Sequence, residues 1–394
     1  MKKKWLNSTV LGAGVTSFLS DASHEVVTVL LPSFLLSMGA PAYALGLIEG
    51  VSDGLSSFSK LFSGYFADKL GKRKEISTLG YAITAIFPAI VAVAASWPIV
   101  LFARAFGWLG RGGRGPPRDA IMSESVEKKD LGKAFGFHRA LDTLGSIVGP
   151  LIAYFALSSF GLRGVFWLSV IPGMLAVAAF WFLVKEKKRP PTKARGTLAS
   201  SLKGLPLDFK KFLASVAVFG ASDFSHALLV LYSVSTLAPS MGLAQATAMG
   251  IVFYLVRNVA YALASLPFGA LGDRFGRRKV LVAGYALGAI TFVGFAIIPP
   301  GVLAFAALFA LAGAYIAAQD ALENAVAAEM VLGQGKSTAF GVLASVNGVG
   351  DMVSSAIVGV LWTYFGFPAG FAYSAVLATA GAIMLTITSK KSGA

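Results

Sequence analysis

The chain has 394 residues; 56% are hydrophobic and only 13% are charged, about half the charged share of a soluble domain. It contains no cysteine, which excludes a disulfide scaffold, a thiolate zinc site and a cysteine nucleophile. Its many apolar residues exclude a disordered chain. They predict an α-helical membrane protein with many spans, because lipid covers apolar surface that water does not.

Twelve apolar stretches of about 20 residues, the length that crosses a bilayer, follow one another along the chain. They cover 8–37, 42–67, 75–96, 98–117, 134–160, 163–184, 211–236, 243–270, 280–298, 302–326, 338–364 and 368–388. The first run is too long for the apolar core of a signal peptide, so we expect it to be retained as the first helix.

Basic residues lie almost entirely in one set of the connections between these stretches, whereas the other set holds only Arg163. The positive-inside rule therefore predicts a multi-pass protein of the cell (inner) membrane with both termini in the cytoplasm. The net charge of +15 then needs no nucleic-acid partner, since basic loops orient the chain and face the lipid bilayer.

The two halves of the chain repeat one another. The segment from Gly64 to Lys74 recurs from Gly269 to Lys279, and Ser20-Asp21-Ala-Ser23-His24 recurs as Ser222-Asp223-Phe-Ser225-His226. This repeat predicts two six-helix bundles, at 1–184 and 211–394, joined by a basic cytoplasmic loop at 185–210.

The repeated loop motif, G-x-x-x-D-[RK]-x-G-[RK]-[RK], resembles the signature of the major facilitator superfamily. The resemblance implies an all-α membrane protein whose 12 transmembrane helices form two pseudo-symmetric six-helix bundles and which transports by alternating access. We expect a monomer without a cofactor. In that family the motif latches the cytoplasmic side; the alternative is a positive patch that only sets topology. The candidate gating residues are Gly64, Asp68, Gly71, Arg73, Gly269, Asp273, Arg274, Gly276 and Arg277.

The fifth span carries a second, narrower motif. Its residues are Gly136, Gly145, Gly149 and Pro150. The pattern is similar to the antiporter motif of drug/proton exporters, although that motif continues with two glycines where this chain has Ala153 and Tyr154. The glycines are expected to let the fifth span pack closely on a neighbour. The resemblance implies export in exchange for protons.

Ionisable side chains inside the spans cost at least about 2.5–3.5 kcal/mol each, so each needs a partner or a function. The candidates for proton coupling or substrate binding are Asp21, His24, Glu25, Glu49, Asp53, Arg104, Asp142, Asp223, His226 and Arg257. At 1.5 Å per residue, Asp21 and Asp223 lie about 21 Å and about 18 Å from the inner ends of their spans. Both are therefore near the middle of the membrane.

Each of these two aspartates is followed three residues later by a histidine, which puts both side chains on one face of a helix. Three interpretations remain open. Asp21 and Glu25 carry the coupling proton, with His24 tuning or relaying it; or both Asp/His pairs, Asp21, His24, Asp223 and His226, bind a divalent transition metal; or the pairs are structural hydrogen-bonding pegs.

Other charged residues have simpler expected partners. Glu49 and Asp53 share a helix face, so either one is protonated or Arg257 pairs with them. Arg139 and Asp142 are spaced to neutralise each other. Opposite charges at the cytoplasmic ends of the fourth and tenth spans predict a salt-bridged gate between Arg118 and Glu323. Arg104 lies deeper in the fourth span, where it is placed to modulate a neighbouring acid.

These observations predict a secondary active transporter, namely a proton-coupled exporter of a small solute. The alternative is an exporter of a divalent transition-metal ion. An integral-membrane hydrolase is disfavoured because H-E-x-x-H, G-x-S-x-G and cysteine are all missing. A receptor is disfavoured because the connections between the predicted spans of this chain are too short to form an extramembrane domain.

Overall fold

The computed structural model describes residues 5–127, 131–186, 206–330 and 336–390, and these residues form helices without a β-strand. The helical elements in chain order are α1 (Ser8–Ser37), α2 (Ala42–Leu70), α3 (Arg73–Val93), α4 (Trp97–Ser125), α5 (Leu131–Leu183), α6 (Leu207–Gly220), α7 (His226–Met241), α8 (Leu243–Phe275), α9 (Arg277–Ile297), α10 (Val302–Met330), α11 (Lys336–Phe365) and α12 (Phe367–Lys390). The all-α class predicted from the sequence is confirmed.

By length and composition, seven helices in the described part of the chain are apolar and long enough to cross a membrane. They are α3, α5, α8, α9, α10, α11 and α12. The helices α1, α2 and α4 bury ionisable side chains instead, and these helices carry much of the site described below.

A bend at Gly161 separates the predicted fifth and sixth spans, which together form α5. Gly161 has φ 62° and ψ 176°, a conformation that only glycine adopts without strain. Just beyond the bend, Arg163 donates to the carbonyl oxygens of Ala92 (2.6 Å) and Ala94 (2.8 Å) at the end of α3. This basic residue therefore caps a helix whose last carbonyls lack intrahelical donors.

The predicted continuous seventh span, 211–236, is wrong: α6 ends at Gly220 and α7 begins at His226. We call residues 221–225 the junction. Within it the backbone N–H of Asp223 donates to the Gly220 carbonyl at 3.0 Å, and the Ser225 hydroxyl accepts from the N–H of Ala227 at 3.4 Å. Ser and Asp favour such local bonds over a continuing helix.

Tertiary contacts satisfy the backbone groups that the junction frees. The Tyr373 hydroxyl donates to the Ala221 carbonyl, and the N–H of Ser225 donates to the Ser355 hydroxyl, both at 2.9 Å. Phe224 packs its ring against the ring of Trp362, 5.6 Å away between centroids. Its counterpart in the first half is Ala22, which lies inside the unbroken α1. The break therefore depends on contacts that a short sequence match does not reveal.

The chain divides into two compact units. Unit 1 comprises Met1–Met38 and Val51–Ala194, and unit 2 comprises Gly39–Gly50 and Arg195–Ala394. The start of α2 thus belongs to unit 2, where Gly46 packs against the backbone of Gly359 in α11. The predicted loop 185–210 lies largely outside the described residues, and the predicted bundle boundaries stay a prediction.

Candidate functional site

Asp21 forms the centre of a buried polar cluster in unit 1. Its carboxyl is 4% exposed and accepts from the Arg114 guanidinium at 3.5 Å, while the same guanidinium donates to the Ser20 hydroxyl. Arg114 also lies over the Tyr81 ring, 4.4 Å from its centroid. The arginine therefore offsets part of the cost of burying a carboxylate.

Asp142 of α5 joins the same cluster. It accepts from the Ser17 hydroxyl at 2.6 Å and from Arg139 at 3.1 Å, so the predicted Arg139–Asp142 pairing is present. The carboxyl groups of Asp21 and Asp142 also act on each other electrostatically. Two like charges in one buried cluster repel, so a proton on one of the two groups relieves that repulsion.

His24 lies between two acids of α1. Its ring is fully buried, with Nδ1 3.4 Å from Asp21 and Nε2 3.2 Å from Glu25. Nδ1 is also 3.0 Å from the Ser20 carbonyl oxygen. The predicted shared face of Asp21 and His24 is therefore present in α1, where the helix is continuous.

A second group of cations and aromatic rings completes the cluster from α4. Arg104 is 1% exposed, lies 3.6 Å from the centroid of the Trp108 ring and donates to the Thr28 hydroxyl at 3.0 Å. The indole N–H of Trp108 donates to Asp53 at 3.0 Å. Arg111 lies 5.2 Å from the centroid of the Trp108 ring, and its charge acts on the carboxyl groups of Asp21, Glu25, Asp53 and Asp142.

Trp108, Arg111 and Arg114 were not among the candidate site residues predicted from the sequence. All three belong to the cluster because α4 is long and turns these side chains toward α1 and α2. Their spacing of three residues, Trp108, Arg111 and Arg114, was the available signal, because such spacing places side chains on one helix face.

In unit 2 the corresponding pair, Asp223 and His226, is arranged differently. The predicted common helix face is wrong here, because Asp223 lies in the junction and His226 is the first residue of α7. Asp223 accepts from the Tyr315 hydroxyl at 3.0 Å, whereas the His226 ring contacts the Tyr254 hydroxyl at 3.0 Å. Each group therefore has its own tyrosine.

The remaining predicted site residues have the following partners. Glu49, in unit 2, accepts from the Ser225 hydroxyl at 2.9 Å. Arg257 donates to Asn258 at 3.0 Å on its own helix, and its charge also acts on Asp223. Glu49 and Asp53 therefore have different hydrogen-bond partners although they lie one turn apart on α2.

The transition-metal interpretation has no support. Among the residues that the structure describes, no group of three or more His, Asp or Glu side chains is placed to hold a metal ion.

The repeated loop motif forms a similar ion pair in each unit. Arg73, at the start of α3, donates to Glu124 near the end of α4 at 2.8 Å. Arg277, at the start of α9, donates to Glu329 near the end of α10 at 2.9 Å and to Asp273 at 2.8 Å. Each pair joins the start of one helix to the end of the following helix within its unit; the gating role of the motif stays a prediction.

Two glycines of the motif are needed for its backbone. Gly71 has φ 64° and Gly276 has φ 97°, values at which a side chain would strain the turn. Gly269 has open space where a Cβ would lie, and Arg274 stacks over Phe275. The surroundings of Gly64 and the side chain of Asp68 lie outside the described part of the structure.

The glycines of the fifth-span motif pack α5 directly on α1. A Cβ at Gly145 would meet the carbonyl oxygen of Phe18, and one at Gly149 would lie 2.8 Å from the carbonyl oxygen of Ala22. Pro150 lies within α5, and the position of Gly136 lies outside the residues whose surroundings are described. The close packing expected from the motif is therefore present at Gly145 and Gly149.

Comparisons with known proteins agree with this architecture. A sequence model of the Major Facilitator Superfamily matches residues 13–257 and 227–393. An uncharacterized MFS-type transporter of Methanocaldococcus jannaschii is 32% identical over 385 residues, covering 96% of this chain and 94% of the relative. The multidrug resistance protein MdtG of Enterobacter lignolyticus is 24% identical, covering 96% and 91%.

Solved structures show the same fold. The crystal structure of the nucleoside transporter NupG aligns with a TM-score of 0.78 at 15% identity, covering 98% of this chain and 99% of that one. The helical fold, the repeated loop motif and the match along nearly the whole sequence lead to one conclusion. The chain belongs to the Major Facilitator Superfamily and is a multi-pass membrane transporter rather than an enzyme.

Proposed function

We propose that this transporter exports a small solute from the cell in exchange for protons, and that Asp21 and Asp142 hold a coupling proton in unit 1. The observation that carries the proposal is that these two carboxyl groups act on each other within one buried polar cluster of α1 and α5. A proton shared by two acids is released when either acid gains a cation or water instead.

The surroundings of the pair suit a reversible proton site. Arg114 contacts Asp21 and Arg139 contacts Asp142, so each carboxylate has a cation to stabilise it once the proton has left. Arg139 is largely exposed, with 77% of its side chain accessible. Asp142 is itself partly exposed, at 23% of its side chain, while Asp21 is buried.

The direction of transport has separate support. Gly145 and Gly149 pack α5 on α1 next to Asp21 and Glu25, and the motif that contains them resembles the antiporter motif of drug/proton exporters. The relative from Enterobacter lignolyticus is a multidrug resistance protein. Both observations favour efflux of a small organic solute across the cell membrane over import.

The test uses inverted membrane vesicles from cells that produce the full chain. Ethidium and a panel of lipophilic toxic compounds are offered with and without an imposed pH gradient. We expect uptake of at least one compound that requires the gradient. Asp21→Asn and Asp142→Asn should each abolish this requirement, whereas Asp208→Asn, which changes an exposed carboxyl paired with Lys211, should behave like the unmodified protein.

Two results would contradict the proposal. Uptake that persists after the pH gradient is collapsed would show that transport is not coupled to protons. Gradient-dependent uptake that survives in both Asp21→Asn and Asp142→Asn would retain coupling but exclude this carboxyl pair as the proton site.

A further inference from the structure

Glu323 of α10 is a buried acid that neither the loop motif nor the Asp21–Asp142 pair uses. It is 2% exposed. Its Oε1 accepts from the Tyr285 hydroxyl at 2.6 Å, and its Oε2 accepts from the Asn347 amide at 2.7 Å. The ion pairs found among the described residues include none to Glu323, so both of its partners are neutral.

In unit 1 the position equivalent to Glu323 holds a cation whose charge is balanced by an acid. Arg118 lies as far along α4 as Glu323 lies along α10, and Tyr81 lies as far along α3 as Tyr285 lies along α9. Arg118 donates to the Tyr81 hydroxyl at 3.2 Å and to Asp119 at 2.9 Å. The tyrosine is kept in both units, but the cation of unit 1 is an acid in unit 2.

The other charges around Glu323 do not replace that cation. Those that act on it are Asp320 on its own helix and Asp223 in the junction. On the remaining packed helices, Arg257 of α8 acts on Asp223, and Asp351 of α11 acts on Tyr315. A proton is then the simplest cation that can cancel a charge buried among neutral partners and other acids.

We propose that Glu323 is a second proton-binding site, in unit 2, and that Asn347 and Tyr285 transmit its proton occupancy to the junction between α6 and α7. The proposal rests on the proposed proton coupling, because it adds a second proton to that function. It also gives the broken helix of unit 2 a role that the continuous α1 of unit 1 does not share.

The hydrogen-bond pattern changes when Glu323 takes a proton. The ionised carboxylate accepts from both neighbours, whereas the protonated acid carries one O–H donor that needs an acceptor. The Asn347 amide oxygen, Oδ1, is buried and lacks a hydrogen-bond partner. Rotation of that amide presents Oδ1 to the new donor, so proton binding and reorientation of Asn347 are linked.

Both partners of Glu323 touch the last turn of α6. The Tyr285 ring stacks on Phe219, with centroids 3.7 Å apart and an interplanar angle of 8°. A Cβ built on Gly220 would lie 3.8 Å from Asn347 Oδ1. Because Gly220 is the final residue of α6, a changed Asn347 or Tyr285 alters the packing of the turn that leads to Asp223.

The test combines two measurements on the full-length protein in lipid nanodiscs. Infrared difference spectra between acidic and alkaline pH report protonated carboxyl groups. We expect Glu323→Gln to lose one titrating carboxyl band, to keep the band that disappears in Asp21→Asn, and to differ in this way from the exposed control Asp208→Asn. An unchanged spectrum in Glu323→Gln would overturn the proposed proton site.

The second measurement follows the junction. The chain has no cysteine, so Ala221→Cys introduces a single thiol, and its maleimide labelling rate is measured against pH. We expect a pH-dependent change beyond that of the thiol itself, which an exposed Leu207→Cys control reports, and we expect Glu323→Gln to abolish it. If the labelling rate still changes with pH in the Glu323→Gln variant, the proposed link between Glu323 and the junction is refuted.

These results are separable from the proposed function. If Glu323 titrates while vesicles show no proton-coupled uptake, the second site stands and the exporter proposal fails. If uptake is proton-coupled and Glu323→Gln changes neither the spectrum nor the labelling, the exporter proposal stands and the second site is refuted.

Discussion

Replacing Gly149 by alanine tests whether the α5–α1 contact is as close as the structure shows. A Cβ at this position would lie 2.8 Å from the Ala22 carbonyl oxygen and 2.8 Å from the Cβ of Glu25, where ordinary contacts begin at 3.4 Å. The shortfall of 0.6 Å, which is 3.4 minus 2.8, falls on two backbone-anchored atoms. Neither can move without displacing α1.

The expected cost follows from two opposing effects. Overpacking a well-filled contact costs about 1–3 kcal/mol, whereas alanine in place of glycine stabilises a helix by about 0.5–1 kcal/mol. The net expectation is a loss of about 1 kcal/mol in the free energy of unfolding, within a range of about 0–2.5 kcal/mol. Gly269→Ala is the matched control, because nothing lies within 4 Å of the Cβ that it would add to α8.

Both variants are unfolded at equilibrium in mixed detergent micelles, with helix content followed by circular dichroism. Gly149→Ala should unfold more easily than the unmodified protein, and Gly269→Ala should unfold less easily or equally. If Gly149→Ala is at least as stable as the unmodified protein, α5 and α1 are not in the contact described, and the structural interpretation of the fifth-span motif fails.

Two further predictions concern the latch pair and the junction. Arg73→Glu should destabilise unit 1 by about 1 kcal/mol or less, because the pair is partly exposed, and adding Glu124→Arg should restore part of the loss; a double-mutant cycle without coupling would contradict the ion pair. Tyr373→Phe removes the donor to the Ala221 carbonyl and should cost about 1 kcal/mol. It should also speed hydrogen exchange in the junction, and equal exchange rates in both proteins would contradict that role.

Hydropathy was sufficient to predict the helical class and a connection at residues 161–162, between the fifth and sixth spans. Apolar runs of fixed length and a biased distribution of lysine and arginine are properties of the chain alone, and the bilayer imposes them on any fold.

The sequence did not predict the break between α6 and α7 in unit 2. Ser-Asp-x-Ser-His is helical in α1 and non-helical before α7, so the local pattern permits both conformations. What differs is the surroundings: Tyr373 and Ser355 supply hydrogen bonds to the freed backbone. Those residues are distant in the chain, so local secondary-structure propensity does not predict their contacts with the junction.

The polar clusters divide in the same way. The sequence alone determined that acids such as Asp21, Asp142 and Glu323 are embedded in a membrane protein. An acidic residue within an apolar stretch can be identified without knowing the fold. Only the tertiary structure decided which of them meet: Asp142 comes to Asp21 and Glu323 comes to Asn347 through helices that are far apart in sequence. The energy of a buried charge depends on its neighbours within a few ångströms, and only the packed helices define those neighbours.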